Sequence, residues 1–394
     1  MTLASIAVYS KDFKGLPNGW KQILPVTFVV GDNSTGKTSL LDLISILDSP
    51  EFNFTNQAIG IIPEAKEAID VVSKFGSGDS LTIGYLKRRI DDGDEYTGKI
   101  VSYRHYRNTL VISALTSIHG HSAFRVKLTG KKFLAKRFDS PRKTVRMPHA
   151  LALAERAHFD SGKKYTQIST VESEKAGEED WFMAAVGATM ALGDDPKKRA
   201  TLKNTFGSLE TTPFKSLRYG PIRGETQKLY SYSAQKDFDP SGTHFPHRLH
   251  TISQKSSELI SLIRQFGKES GLFEDVRIEK FKGASGAEAF SIVYKKYGRD
   301  FFGNELGYGL GQIIPIATDL LLARAGSTFL VQQPEVHLHP KAQAAFGSLL
   351  FRVAKKGLRI VAETHSDFII DRYRIEQAES REKIDSQILF FEKR

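Results

Sequence analysis

The chain has 394 residues, a formal net charge of +11 and a pI near 9.4. It holds no cysteine, which excludes a disulfide framework, a thiolate metal site and a cysteine nucleophile. No apolar run approaches the roughly 20 residues that span a bilayer, and Leu3–Val8 is too short for a signal-peptide core, so no membrane association and a cytoplasmic location are expected. The positive excess suits a polyanionic partner, with nucleic acid the usual one, and part of it would serve nucleotide phosphates.

In chain order, Leu3–Tyr9 and Gln22–Val30 read as strands of the sheet that delivers the stretch Gly31-Asp32-Asn33-Ser34-Thr35-Gly36-Lys37-Thr38. An apolar run precedes this glycine loop and an amphipathic helix, Ser39–Leu47, follows it, which is the order a phosphate-binding loop requires. Gly31 and Gly36 let the backbone turn back so that successive N–H groups point into one concavity. Asn33, Ser34, Thr35, Gly36, Lys37, Thr38 and Ser39 form the expected phosphate cradle, backed by the positive end of the helix dipole. Lys37 would reach the β- and γ-phosphates of ATP, and the Thr38 hydroxyl would ligate Mg²⁺. Asp48-Ser49-Pro50 then ends the helix.

From Ser80 to Phe138 the pattern is β-rich, with a hairpin signal at Asp91–Asp94 and further strands at Leu110–Leu115 and Ala123–Leu128. A small antiparallel subdomain flanking the nucleotide is expected. Its end is strongly basic: Arg125, Lys127, Lys131, Lys132, Lys136, Arg137, Arg142, Lys143 and Arg146 surround Phe133 and Phe138. Charges with interleaved rings suit nucleic acid, but a strand that turns its rings into the core gives the same string, and both readings stand. His149–Leu209 reads as mostly helical, with a polar, acidic loop from Thr170 to Asp180 and no sustained heptad repeat. Phe214–Arg223 re-enters the sheet and breaks at Gly220-Pro221. A helix over Leu249–Phe266 and strands at Val276–Lys280 and Ala289–Tyr297 follow.

The last hundred or so residues carry four motifs. Leu306-Gly307-Tyr308-Gly309-Leu310-Gly311-Gln312 precedes an apolar helix, Ile313–Ala323. The strand Ser327–Val331 ends in Gln332-Gln333-Pro334-Glu335-Val336-His337-Leu338-His339-Pro340, and a helix over Lys341–Ala354 follows. Leu358–Glu363 is a further strand, ending in Thr364-His365-Ser366. In a parallel α/β sheet, ligands lie beyond the carboxyl ends of the strands, where these motifs would meet the glycine loop.

Together with Gly220-Pro221-Ile222-Arg223, this set resembles the ABC-type ATPase head of the SMC, RecF and OLD superfamily. It is most similar to small AAA-like ATPases with Pro-Glu-x-His-Leu-His-Pro and Glu-Thr-His-Ser motifs, found in anti-phage defence systems of the Septu, PARIS and retron-associated types. The resemblance implies an α/β fold, an ABC-type P-loop NTPase head with an antiparallel β subdomain and a mostly helical insertion. The expected lobes are 1–148, 149–210 and 211–394. Gly309, Gly311 and Gln312 would be the signature segment that caps the γ-phosphate bound to a second subunit, although the family usually has Ser where Gly311 stands. His365 would be the switch histidine, with a buried strand-capping histidine as the alternative. Gln57 is a weak match to the glutamine that senses Mg²⁺ in such ATPases.

The departure lies at the second nucleotide motif, where the superfamily has two acids and this chain has Gln332 and Gln333. An amide ligates or orients but takes no proton. Gln332 thus stands as a metal contact beside Thr38, and Glu335 as the catalytic base or metal-linked acid, with His365 and Lys37. His337 and His339 lack a third ligand and are expected to be structural. The resemblance implies a homodimer or higher oligomer that sandwiches ATP. Its leading reading is a sensor or scaffold subunit of a defence complex that controls a separate nuclease or toxin effector, since the chain ends at Arg394 without room for the Toprim nuclease domain of OLD proteins. A RecF-like DNA-binding repair ATPase and a non-hydrolysing ATP-dependent scaffold are the alternatives.

Overall fold

The chain was analysed as a computed structural model, which describes residues 3–49, 52, 80–88, 95–106, 109–140, 146–162, 164–171, 181, 184, 214–221, 223, 224, 226–231, 237–282 and 288–392. Gln57, the Asp91–Asp94 turn and most of the expected helical insertion lie outside the described residues.

Three sheets organise the rest. The largest is antiparallel, with strands β1 (Ile6–Lys11), β2 (Gly19–Ile23), β4 (Ser80–Arg88), β5 (Tyr96–Tyr106), β6 (Thr109–His119), β7 (Ser122–Thr129), β8 (Lys132–Asp139) and β9 (Thr166–Thr170), in the order β2-β1-β4-β5-β6-β7-β8-β9. The second is parallel: β3 (Val26–Gly31), β10 (Ser216–Tyr219), β15 (Thr328–Gln332), β16 (Arg359–Glu363) and β17 (Ser386–Phe391), in the order β10-β15-β16-β3-β17. A small antiparallel sheet joins β11 (Tyr230–Ser231), β12 (Asp275–Lys282), β13 (Glu288–Lys296) and β14 (Arg299–Phe302).

The helix after the glycine loop, α1 (Lys37–Leu47), lies between the two large sheets. Leu40, Leu41, Leu43, Ile44, Ile46 and Leu47 are all buried, in one core with Leu81, Ile83 and Val101 of the antiparallel sheet and Val29, Leu330 and Val361 of the parallel one. The helix is buried nearly all round, and the acid on it, Asp42, is ion-paired to Lys14 and Arg218. The outer face of the antiparallel sheet packs Leu86, Ile100 and Ile118 against Ala150, Leu153, Ala154 and Ala157 of α2 (Met147–His158). Behind the parallel sheet, α3 (Phe245–Lys255), α4 (Ser257–Ser270), α5 (Tyr308–Leu322), α6 (Pro340–Lys355) and α7 (Asp367–Glu379) contribute to the largest core.

Four expectations are corrected. β1 and β2 belong to the antiparallel sheet, not to the sheet that carries the glycine loop. The apolar stretch Gln22–Val30 is cut at Leu24-Pro25, because proline has no N–H to continue a ladder, and the chain there steps from one sheet to the other. The expected helix Leu249–Phe266 is two helices: Ser256 is extended (φ −153°, ψ 110°), and its hydroxyl accepts the Leu259 N–H to start α4. Within the stretch read as mostly helical, Thr166–Thr170 is a strand that pairs with β8. Phe133 and Phe138 are buried on opposite faces of β8, so the strand-face reading holds and the rings are not offered to a nucleic acid. Among the described residues, no helix is long and apolar enough to cross a membrane.

Candidate nucleotide site

The glycine loop leaves β3 at Gly31 and enters α1 through Gly36. Gly31 sits at φ +135° with the β17 backbone against it: a Cβ here would lie 2.0 Å from the Phe391 carbonyl oxygen. Gly36 takes φ +98° as the N-cap of α1, and Ser34 is also left-handed at φ +64°. The Thr35 hydroxyl donates to the Asp32 carbonyl at 2.8 Å, which closes the loop on itself. Lys37 is buried, and its ammonium donates to the Gly31 carbonyl at 2.8 Å and to that of Asp32. Ser39 is anchored to the β1–β2 connection by a 2.9 Å bond to the Lys14 carbonyl.

Thr38 faces the ends of two neighbouring strands. Its hydroxyl lies 3.1 and 3.0 Å from the two carboxylate oxygens of Glu363 and 3.2 Å from Nε2 of Gln332. Gln332 and Glu363 close β15 and β16 directly opposite each other in register. Burial raises the Glu363 carboxyl above the usual carboxylate range, against the opposing pull of the Thr38 hydrogen bond and the Lys37 charge. The sequence motif Glu-Thr-His-Ser singles out His365 and not Glu363, whose only signal is an acid closing a strand that is apolar over Ile360–Ala362.

Glu335 lies one turn beyond β15 and reaches the end of β16. One carboxylate oxygen accepts the Thr364 hydroxyl and the other accepts the His365 backbone N–H, both at 2.7 Å. The His365 side chain is exposed at the strand end, so the buried, strand-capping alternative does not hold. Gln333 turns away in a left-handed conformation (φ +45°), its N–H bonded to the Glu363 carbonyl at 2.8 Å. His339 caps α6 through Nδ1, which accepts the Lys341 N–H at 3.4 Å.

The signature segment starts α5 beside this loop. Gly309 packs on the His337 carbonyl, which a Cβ would approach to 2.5 Å, whereas the nearest neighbour of a Cβ on Gly311 is 3.4 Å away. Gln312 donates to the Arg223 carbonyl at 3.3 Å, and Arg223 in turn donates to the Gln332 carbonyl at 2.7 Å. Arg223 is buried, with Nε and Nη1 lacking a hydrogen-bond partner; desolvation lowers its pKa to about 10, against the pull of Tyr219 and Glu335. The structure therefore joins the signature segment, the β15 end and the β16 end to one glycine loop in a single chain.

A strand–glycine loop–helix unit in a parallel sheet, with a signature helix and two polar strand ends beside it, defines a P-loop NTPase of the ABC type. The model of the family described as "AAA domain, putative AbiEii toxin, Type IV TA system" matches residues 203–371. A curated "OLD nuclease" of Thermus scotoductus (strain ATCC 700910 / SA-01) is 25% identical over 130 residues, 32% of this chain and 24% of that protein. The chain thus matches about a quarter of that relative's length. Among solved structures, the SMC head domain from Thermotoga maritima aligns over 93% of this chain and 91% of its own at 13% identity and TM-score 0.40. An Smc head domain with an extended coiled coil, bound to the C-terminal domain of ScpA and derived from Pyrococcus furiosus, aligns over 94% and 92% at 10% identity and TM-score 0.42. The geometry of the glycine loop and of the strand ends beside it gives the chain the α/β fold of an ABC-type P-loop NTPase head.

Proposed function

We propose that this protein binds and hydrolyses ATP, with two heads sandwiching the nucleotide, and that the ATP-bound assembly acts as a sensor or scaffold controlling a separate nuclease or toxin effector in anti-phage defence. The observation that carries the ATPase reading is the convergence of Lys37 and Thr38 after β3, Glu335 after β15 and His365 after β16, three adjacent strands of one parallel sheet. Asn33 to Ser39 cradle the phosphates and Lys37 neutralises them. Gly309, Gly311 and Gln312 cap the γ-phosphate held by the partner head. Glu335 takes the proton of the attacking water, and His365 orients that water or the γ-phosphate. The Thr38 hydroxyl would hold a hard divalent cation, joined by Gln332 once its amide presents the oxygen in place of the Nε2 that donates to Thr38 at 3.2 Å. Thr38 and Gln332 would hold Mg²⁺ there, which would supply positive charge to offset the negative charge developing on the phosphate. The defence role is supported by the descriptions of the matched family and the OLD relative.

A nucleic-acid partner belongs to the alternative, RecF-like DNA-binding reading, for which the basic strand pair is the feature to weigh. Arg125 and Lys136 face each other across β7 and β8, and Lys127 lies two positions along β7 on the same face. Asp160 binds Lys136 at 2.9 Å, and Lys127 lies over the Tyr165 ring at 3.9 Å. Like charges set opposite one another are a net cost, and Asp160 offsets one of them within the chain.

The test is ATP turnover with and without duplex DNA, comparing wild type with Lys37→Ala and Glu335→Gln. Turnover lost in both variants supports the ATPase. Stimulation by DNA alone with a steep salt slope favours the RecF-like role. Tight ATP binding without turnover in the wild type leaves the second reading, a non-hydrolysing assembly scaffold, which Gln332 and Gln333 favour because neither takes a proton.

A further inference from the structure

The pair Gln332-Gln333 leaves the second nucleotide motif without the acid that normally offsets the charge of a metal ion, and Glu335 does not fill that place. Both its carboxylate oxygens are committed to the β16 end, through Thr364 and His365 at 2.7 Å. Asp42 of α1 is equally committed: its carboxylate is ion-paired to Lys14 and, at 2.6 Å, to Arg218. Glu363 differs from both. It is 3% exposed, has no ion-pair partner among the described residues, and its carboxylate meets only the Thr38 hydroxyl. The Lys37 and Arg218 charges act on Glu363 only from a distance, and a buried carboxylate with no cation in direct contact is costly to keep charged, so it is retained where a bound cation compensates it.

From this geometry we infer that the metal-linked carboxylate has moved one strand over: Glu363, at the end of β16, supplies the negative charge that Gln332, at the end of β15, has lost. The two side chains are opposite in register and both lie within 3.2 Å of the Thr38 hydroxyl, so either position addresses the same oxygen donor. Glu363 is the last residue of the strand between β15 and β3, hence the nearer neighbour of the glycine loop. With the Thr38 hydroxyl it presents hard oxygen donors of one net negative charge, which suits Mg²⁺ with the remaining positions left to phosphate, water and, once its amide turns, Gln332, whose Nε2 donates to the Thr38 hydroxyl in this structure. Glu335, held at the β16 end beside His365, keeps the proton-transfer role proposed for it, so the chain has one carboxylate for each of two roles.

The inference rests on the nucleotide reading, and the experiment separates the two. A fluorescent ATP analogue is titrated into wild type, Lys37→Ala, Glu335→Gln, Glu363→Gln and the double variant Gln332→Glu/Glu363→Gln, each with Mg²⁺ and with EDTA. The quantity read is the ratio of the two affinities, independent of turnover. Wild type is expected to show a ratio of about ten or more, the worth of one charge-assisted contact. Glu363→Gln is expected to bring it near one, the double variant to restore it by returning the acid to β15, and Glu335→Gln to leave it high. Mn²⁺ paramagnetic resonance on the ATP-bound forms should rank the variants the same way. A wild-type ratio retained in Glu363→Gln, or lost instead in Glu335→Gln, overturns the assignment. A wild type that binds ATP equally with and without metal overturns it while leaving nucleotide binding intact. Binding by neither wild type nor any variant overturns the nucleotide reading itself. Thermal melts show whether each variant is folded, and the double variant keeps the comparison valid if Glu363→Gln alone destabilises the strand end.

Discussion

Glu335 holds the backbone N–H of His365 at 2.7 Å, so a carboxylate from the end of one strand fixes the position of the exposed histidine at the end of the next. The other oxygen of the same carboxylate takes the Thr364 hydroxyl, also at 2.7 Å. The proposed base and the proposed switch histidine therefore move as one unit, and a change in the contacts of either is felt by the other.

Thr364 tests this unit without replacing either functional side chain. Thr364→Val keeps the side-chain volume, but it removes the bond to Glu335 and leaves the Ser366 N–H without its 3.0 Å acceptor. A lost hydrogen bond to a charged group is worth about 1.5–3 kcal/mol, so ATP turnover should fall by roughly tenfold or more while ATP affinity stays within about twofold. Equal losses in affinity and turnover would show that Thr364 only supports the fold.

The two signature glycines should respond in opposite ways. Gly309→Ala drives a Cβ to 2.5 Å from the His337 carbonyl oxygen, so the start of α5 must shift and ATP-dependent dimer formation should be lost. Gly311→Ser meets its nearest neighbour at an ordinary 3.4 Å and returns a hydroxyl to the segment. It should melt within a few degrees of wild type and dimerise at least as well in ATP, as read by light scattering.

Asp48 caps α1 and gathers the start of β10. Its carboxylate accepts the N–H groups of Phe214, Lys215 and Ser216 and the Ser216 hydroxyl, at 2.5–2.9 Å. Asp48→Ala strands these donors, and the expected loss is about 3 kcal/mol or more in urea unfolding, among the larger single-residue effects. A loss below about 1 kcal/mol would mean that β10 is held by its pairing with β15 alone.

His158 sets a pH dependence. Its ring is buried between the Ser102 hydroxyl at 2.7 Å and the Thr116 hydroxyl at 2.8 Å, and desolvation, with Arg125 and Lys11 nearby, lowers its pKa from 6.5 to about 3. The unfolded chain therefore takes up the proton first. The contribution is intact above pH 6.5 and is lost as the pH falls toward 3, at about 1.4 kcal/mol per unit, or about 2 kcal/mol by pH 5. His158→Gln should flatten the stability profile between pH 6.5 and 5, and an unchanged slope would assign the acid sensitivity to other groups.

What the sequence determined by itself is the set of local devices. The glycine loop between Val30 and Ser39, the signature helix start and the strand-ending motifs are each contiguous, so covalent spacing alone fixes which atoms can meet. What only the tertiary structure decided is which of these devices face each other. Thr38 and Glu363 are 325 positions apart, and they meet because the strand order puts β16 beside β3. An acid in an apolar strand reads alike whether it faces solvent or a phosphate loop. The same limit explains β1 and β2, whose apolar pattern suits either large sheet until Pro25 sends the chain across. It also explains Phe133 and Phe138, whose alternation with charge is shared by a binding surface and a strand buried on both faces.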